Sequence, residues 1–237
     1  MSGPTSPPPD PTFDRFADRY DESLQQGLSV SGESKDYFAE QRIRWLAARL
    51  NELKFVPQHI LDFGCGTGSA TPFFRAVFPN AAIVGTDVST RSIETARKKF
   101  GACGAEFHAL AGYQPDREFD LAFCNGVFHH IPPADRPQAV DTVARALKPG
   151  GWFAFWENNP WNPGTRIVMS RIPFDREAIT LAPPEARRLL RASGLQVRRS
   201  DSYFYFPRAL RALRCLEPAL ARLPLGAQYL VLAQRPD

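Results

Sequence analysis

Between His59 and Glu157 the chain alternates short, β-rich apolar runs with stretches of helical periodicity, and this alternation restricts the fold more than any other feature. The apolar runs are His59–Phe63, Ala82–Thr86, Ala105–Ala109, Phe119–Cys124 and Gly151–Glu157. Between them, Ala70–Phe78, Ser89–Phe100 and Arg136–Leu147 read as helices; the first stops at Pro79 and the last at Lys148-Pro149-Gly150-Gly151. Strands that are apolar throughout and separated by helices belong to a parallel sheet covered on both faces, an α/β doubly wound architecture. After Pro160 the alternation relaxes. The spacing predicts an irregular stretch over 158–182 acting as a cover, a helix at Glu185–Ala192, and a strand near Gln196–Phe206. An Arg/Leu helix over Arg208–Leu223, broken by Pro218, and a last strand at Gln228–Ala233 complete a mostly parallel seven-stranded sheet.

Length and composition set the frame. The 237 residues suit one domain with additions, and 43% hydrophobic against 23% charged residues supports a true core and excludes disorder across the whole chain. Residues 1–11 carry five prolines and read as a disordered tail. Residues 12–237 then form a single domain, with 12–54 as an N-terminal helical cap and 158–182 and 208–223 as substrate-side additions. No run reaches the ~18 apolar residues of a membrane span, and the start has no apolar core of a secretory signal, so the expected location is cytoplasmic. The four cysteines lack metal-type spacing, and no metal is expected. The net charge of +4 is too small to argue for nucleic acid. Its basic excess gathers late, where every cation after Pro160 is an arginine; this fits either a solvated face or an anionic or lipid-linked substrate.

The sharpest chemical signal is Asp62-Phe63-Gly64-Cys65-Gly66-Thr67-Gly68, set between a strand and a helix. Glycines at that place let the backbone turn tightly and admit a ligand to the main chain at the carboxyl edge of a parallel sheet. A nicotinamide dinucleotide asks for G-x-G-x-x-G, but the sixth position from Gly64 is Ser69; the spacing found is G-x-G-x-G. Asp87 ends the second strand, where a carboxylate accepts from the hydroxyls of a ribose, so an adenosyl group is indicated without its attachment.

With ILDFGCGTG at 60–68, IVGTDVS at 83–89, FDLAFCNGVFHHIPP at 119–133 and LKPGGWFAFWE at 147–157 in this order, the chain resembles the class I S-adenosylmethionine-dependent methyltransferases, especially the stand-alone kind acting on small molecules. The resemblance implies a Rossmann-like fold with an antiparallel last strand and S-adenosylmethionine as cofactor. Asp62 would orient the glycine loop, and Gly64, Cys65, Gly66 and Gly68 would line the methionine part. Asp87 would hold the ribose, Val88 would pack on the adenine, and the Asn125 carbonyl would face the sulfonium. Relatives often carry an acidic residue after the third strand; here the sequence is His108-Ala109-Leu110-Ala111, so adenine recognition falls to backbone groups near Leu110. Tyr20, in an aromatic-Tyr-Asp opening helix, would reach the methionine carboxylate or pack that helix on the sheet.

Methyl transfer needs an aligned nucleophile and a base only where the acceptor must lose a proton. His129 and His130 follow the fourth strand; neighbouring residues generally point apart, so His130 is the expected catalytic base and His129 a substrate contact. Glu157, Asn158, Trp161 and Arg166 are the other expected substrate contacts. The Leu210, Leu213, Leu216 and Leu220 series, interspersed with arginines, reads as a packed helix or as peripheral membrane contact near a lipid-linked acceptor. Asn125-Gly126-Val127-Phe128 lacks the Asn/Asp-Pro-Pro-aromatic run of base-amine methyltransferases, so no nucleic acid is expected. The sequence thus points to methyl transfer onto a small or lipid-linked metabolite, with a nicotinamide-dependent oxidoreductase and a catalytically silent binding protein as rivals.

Overall fold

The structure is a computed structural model describing residues 20–237, with side chains from Leu24 onward. The proline-rich tail and Phe16 lie outside the described residues. Helices α1 (Tyr20–Leu28) and α2 (Lys35–Glu52) precede β1 (His59–Phe63), and α3 (Thr71–Val77), β2 (Ala82–Asp87), α4 (Thr90–Phe100) and β3 (Ala105–Ala109) follow. Next come β4 (Phe119–Asn125), α5 (Arg136–Ala146), β5 (Leu147–Asn158), α6 (Pro163–Arg171), α7 (Pro183–Ala192), β6 (Gln196–Tyr203), α8 (Glu217–Leu220) and β7 (Gln228–Gln234). The seven strands form one sheet in the order β3-β2-β1-β4-β5-β7-β6; β7 runs antiparallel to both neighbours, and the pairings from β3 to β5 are parallel.

Strand alternation divides the core in two. Ile60, Leu121, Trp152, Ala154 and Trp156 face one side, against Ile43, Leu46 and Leu50 of α2, Phe74 of α3 and Ile93 of α4. Leu61, Ala122, Phe153 and Phe155 face the other, against Val140 and Val143 of α5 and Ala186 and Leu190 of α7. Each such large side chain contributes about 1.5–3 kcal/mol on burial, and this two-sided burial makes the strands read as unbroken apolar runs. Trp45 ties α2 to the far edge: its indole donates to Asp201 Oδ2 at 3.2 Å and its ring stacks on Tyr203.

Several expectations change. The 158–182 stretch is not irregular: Asn162 caps α6 by accepting from the Thr165 amide, and a 3-10 turn follows at Pro173–Asp175. The Lys148–Gly151 stop is already strand, since Leu147 pairs with Phe119. The segment from Arg208 is a 3-10 helix to Leu216, interrupted at Leu210, and Leu210, Leu213 and Leu216 lie exposed rather than packed. β6 stops at Tyr203 because Phe204 turns left-handed, with φ of 62°. No helix among the described residues is long and apolar enough to cross a membrane.

Candidate active site

The strand order reverses between β1 and β4, which opens a crevice at their carboxyl ends. Leaving β1, Gly64 and Cys65 both donate to the Thr86 carbonyl, at 2.7 and 2.9 Å. The Gly66 amide then donates to Asp87 Oδ2, and the Ser89 amide to Asp87 Oδ1, each at 2.9 Å. Gly66 and Asp87 therefore meet directly, and one carboxylate ties the glycine turn to the tip of β2. A Cβ on Gly64 would stand 2.3 Å from Val127, whereas one on Gly66 would meet nothing within 4 Å; the first glycine seals the turn to the β4 side and the second leaves open space. Asp62 is buried beneath the turn, and burial, reinforced by Asp87 and opposed by Arg42, pushes its carboxyl up to about 7. Burial likewise raises the Cys65 thiol. Val88 follows the clasp, half-buried. The backbone groups of Leu110 are taken: its amide donates to the Asp87 carbonyl at 2.8 Å, and its carbonyl accepts from Tyr113 at 3.3 Å. An adenine contact through the Leu110 amide is thus closed off.

Across the crevice, Asn125 ends β4, and its side-chain oxygen is buried with no hydrogen-bond partner among the described residues. The turn that follows is wound through Val127–Ile131, with His130 N bonding to Val127 O at 3.0 Å. Because this is a turn and not an extended strand, the neighbouring rings of His129 and His130 do not point apart; their centroids lie 4.1 Å from each other. Both approach Asp175, His129 Nε2 at 3.5 Å and His130 Nε2 at 3.3 Å. The other nitrogen of His129, Nδ1, lies 2.6 Å from Glu157 Oε2, while Glu157 Oε1 accepts from the Phe128 amide at 2.8 Å. Burial works against a charged His129, but Glu157 and Asp175 outweigh it and raise the ring to about 10. Arg136 fixes the same turn by donating to the carbonyls of Phe128 and Ile131.

A cavity of about 340 Å³ opens from this point. Asn125, Gly126, His129, His130, Asn158 and Asp175 form its polar end; Leu28, Phe38, Met169, Ile172, Phe204 and Phe206 supply apolar wall. Asn158 is held by Gln228, which donates to its Oδ1 at 2.9 Å. Three expected substrate contacts stand elsewhere. Glu157 is fully buried and bonded inward, Trp161 is exposed with its amide on Asn159, and Arg166 is exposed; none lines the cavity. Tyr20 opens α1. Sequence reasoning missed Asp175, which reaches the histidines only because α6 and the turn after it fold back over β4; no spacing announces that contact.

The geometry agrees with what the chain is similar to. A family described as "Methyltransferase domain" matches residues 61–153. A trans-aconitate 2-methyltransferase of Methylobacterium nodulans is 31% identical over 162 residues, 68% of this chain and 59% of that one. A ubiquinone biosynthesis O-methyltransferase of Thiobacillus denitrificans is 28% identical over 184 residues, 70% of this chain and 75% of that one. Among solved structures, a putative O-methyltransferase from Nostoc punctiforme superposes with a TM-score of 0.65 at 17% identity, covering 99% of this chain and 63% of that one. The chain spans 59%, 45% and 42% of the length of three similar curated relatives, all trans-aconitate 2-methyltransferases. The ordered motifs, the seven-stranded sheet, the glycine turn clasped by Asp87, the matching family and the similar methyltransferases together support a class I S-adenosylmethionine-dependent methyltransferase.

Proposed function

We propose that this chain transfers the methyl group of S-adenosylmethionine to a small, largely apolar acceptor seated in the cavity beside His130. The observation that carries this reading is the Gly66–Asp87 clasp, which lies next to the open space over Gly66 and across from the orphaned Asn125 oxygen. A bare glycine facing open space, a carboxylate at a strand tip and an unpartnered acceptor fit a nucleoside with a cationic amino-acid arm. When bound, the cofactor supplies a methyl carbon made electrophilic by its sulfonium. Asp87 would accept from the ribose, Val88 would pack on the adenine, and Gly64, Cys65, Gly66 and Gly68 would surround the methionine part. Asp62 would balance the amino group from below, Tyr20, whose side chain lies outside the described residues, would take the carboxylate, and the Asn125 carbonyl would face the sulfonium.

The chain's own part would be to hold the acceptor's lone pair in line with that methyl carbon. His130, turned toward Asp175, takes the acceptor's proton where one is lost. His129 and Asn158 shape the same end, and the apolar walls exclude water from the line of attack. Of the cavity arginines, Arg214 is paired with Glu33 at 2.9 Å, and Arg42 donates to the neutral side-chain oxygen of Gln228 at 2.9 Å. This lining favours a quinol- or phenol-like molecule over a tricarboxylate. A lipid-linked form of such an acceptor suits the exposed leucines and arginines of 208–225, close to Phe206 and Pro207 at the cavity. Calorimetric titration with S-adenosylmethionine, followed by measurement of S-adenosylhomocysteine release over apolar phenols, quinols and tricarboxylates, tests both parts. Binding of NADH without S-adenosylmethionine would overturn the first part, and turnover confined to tricarboxylates the second.

A further inference from the structure

We propose that His129, His130 and Asp175 bind a divalent transition-metal ion of the zinc class, with an open coordination position facing the acceptor cavity. The binding of the ion does not rest on the methyl-transfer reading; only its role toward an acceptor does. Its basis is a set of distances. His129 Nε2 and His130 Nε2 lie 3.5 and 3.3 Å from Asp175 Oδ1, and the three ligand atoms all fall within 4.8 Å of one another. Charge-assisted hydrogen bonds between nitrogen and oxygen run at about 2.7–2.9 Å, so both contacts are too long for good ones. They instead match the edge of a coordination tetrahedron: with metal–ligand bonds of about 2.0–2.1 Å, neighbouring ligands stand about 3.4 Å apart.

The surroundings carry the same signature. His129 Nδ1 is committed to Glu157 at 2.6 Å, which fixes the ring and turns Nε2 toward Asp175. A carboxylate holding the far nitrogen of a ligating histidine is the usual outer support of such sites. Glu157 is held in turn, accepting from the Phe128 and Asn158 amides at 2.8 and 3.2 Å. The two halves of the site are joined by the Ile179 amide, which donates to the His129 carbonyl at 2.9 Å. The side chains of His129, His130 and Asp175 are 2%, 14% and 6% exposed, so two carboxylates and two imidazoles share a pocket largely shut to water, open on the side of the cavity. Two histidines and a carboxylate leave room on the ion for a water or an acceptor oxygen. His130 offers one lone pair, so acting as base and acting as ligand are exclusive; in the loaded protein the ion itself acidifies a bound acceptor hydroxyl.

The test is titration of the full chain, stripped by chelator dialysis, with Co2+ followed by visible absorption and with Zn2+ in competition with a chromophoric chelator. One equivalent per chain is expected, with ligand-field bands of a low-coordinate nitrogen and oxygen site and no thiolate charge-transfer band. Asp175→Asn and His130→Ala should abolish stoichiometric binding. Glu157→Gln should weaken it by roughly 10- to 100-fold, the usual effect of losing an outer carboxylate. Absence of stoichiometric binding by the unaltered chain overturns the proposal, as does binding that survives Asp175→Asn or carries a thiolate band from Cys103 or Cys215. S-adenosylmethionine binding by each variant verifies its fold. Turnover of the chelator-treated chain reports separately on the methyltransferase reading.

Discussion

Asp87 spends one oxygen on Gly66 and the other on Ser89, so the strand tip and the glycine turn are joined before a ligand arrives. Replacing it by alanine removes both supports along with the ribose acceptor; the expected loss of cofactor affinity is about 1–3 kcal/mol, measured by calorimetry, and an unchanged affinity would remove the ribose role. Asp62 yields a pH dependence. Its folded-state value near 7 stands above the ordinary 3.8, so the neutral carboxyl is the favoured form. Its contribution to stability is full below pH 3.8 and is lost as the pH rises through 7. A cofactor ammonium beside it favours the ionised form, so between pH 5 and 7 affinity should rise with pH, by about tenfold per unit at most, with proton release on binding. Titration in two buffers of different ionisation heat reads this directly, and Asp62→Asn should flatten the slope. His130→Ala should lower turnover far more than cofactor affinity; equal turnover would leave the ring a shaping role only.

At the scale of elements, two glycines separated by a single residue behave differently. Gly64→Ala places a methyl against Val127 at 2.3 Å with φ at +73°, so a cost of about 1–3 kcal/mol is expected, visible as a Tm lowered by roughly 2 to 10 °C in thermal unfolding. Gly66→Ala carries a left-handed cost too, with φ at +53°, but meets no neighbour, so its larger effect should fall on cofactor binding. The central strands were legible because they bury both faces, as Trp152, Phe153, Ala154 and Phe155 do in β5. Helix α6 was not, because only Thr165 and Met169 are buried along it and prolines flank it, which leaves too short a stripe to set a period. The leucines from Leu210 onward had a helical period that no core receives, since spacing reports a face and not what covers it.

Over the whole molecule, the proposed grip on the cofactor and the proposed choice of acceptor would come from different stretches. The glycine turn, Asp87 and Asn125 lie within residues 61–153, while Phe38, Met169, Ile172 and Phe206 lie outside them. Phe206→Ala should therefore raise the acceptor KM and leave the S-adenosylmethionine Kd nearly unchanged, as steady-state kinetics beside calorimetry will read. The same division explains what the sequence disclosed. Gly64–Gly68 and Asp87 are local to strand ends and were readable from spacing, whereas Asp175 meets His129 and His130 only through the return of α6. Glu157 looked like a wall residue for its place at a strand end, but the pleat turns it inward under Phe128. That inward anchor has a consequence for diversification: the histidine turn inherits the stiffness of the sheet through Glu157, so natural selection or a protein engineer can recut the surrounding walls to a new outline while the two rings stay put.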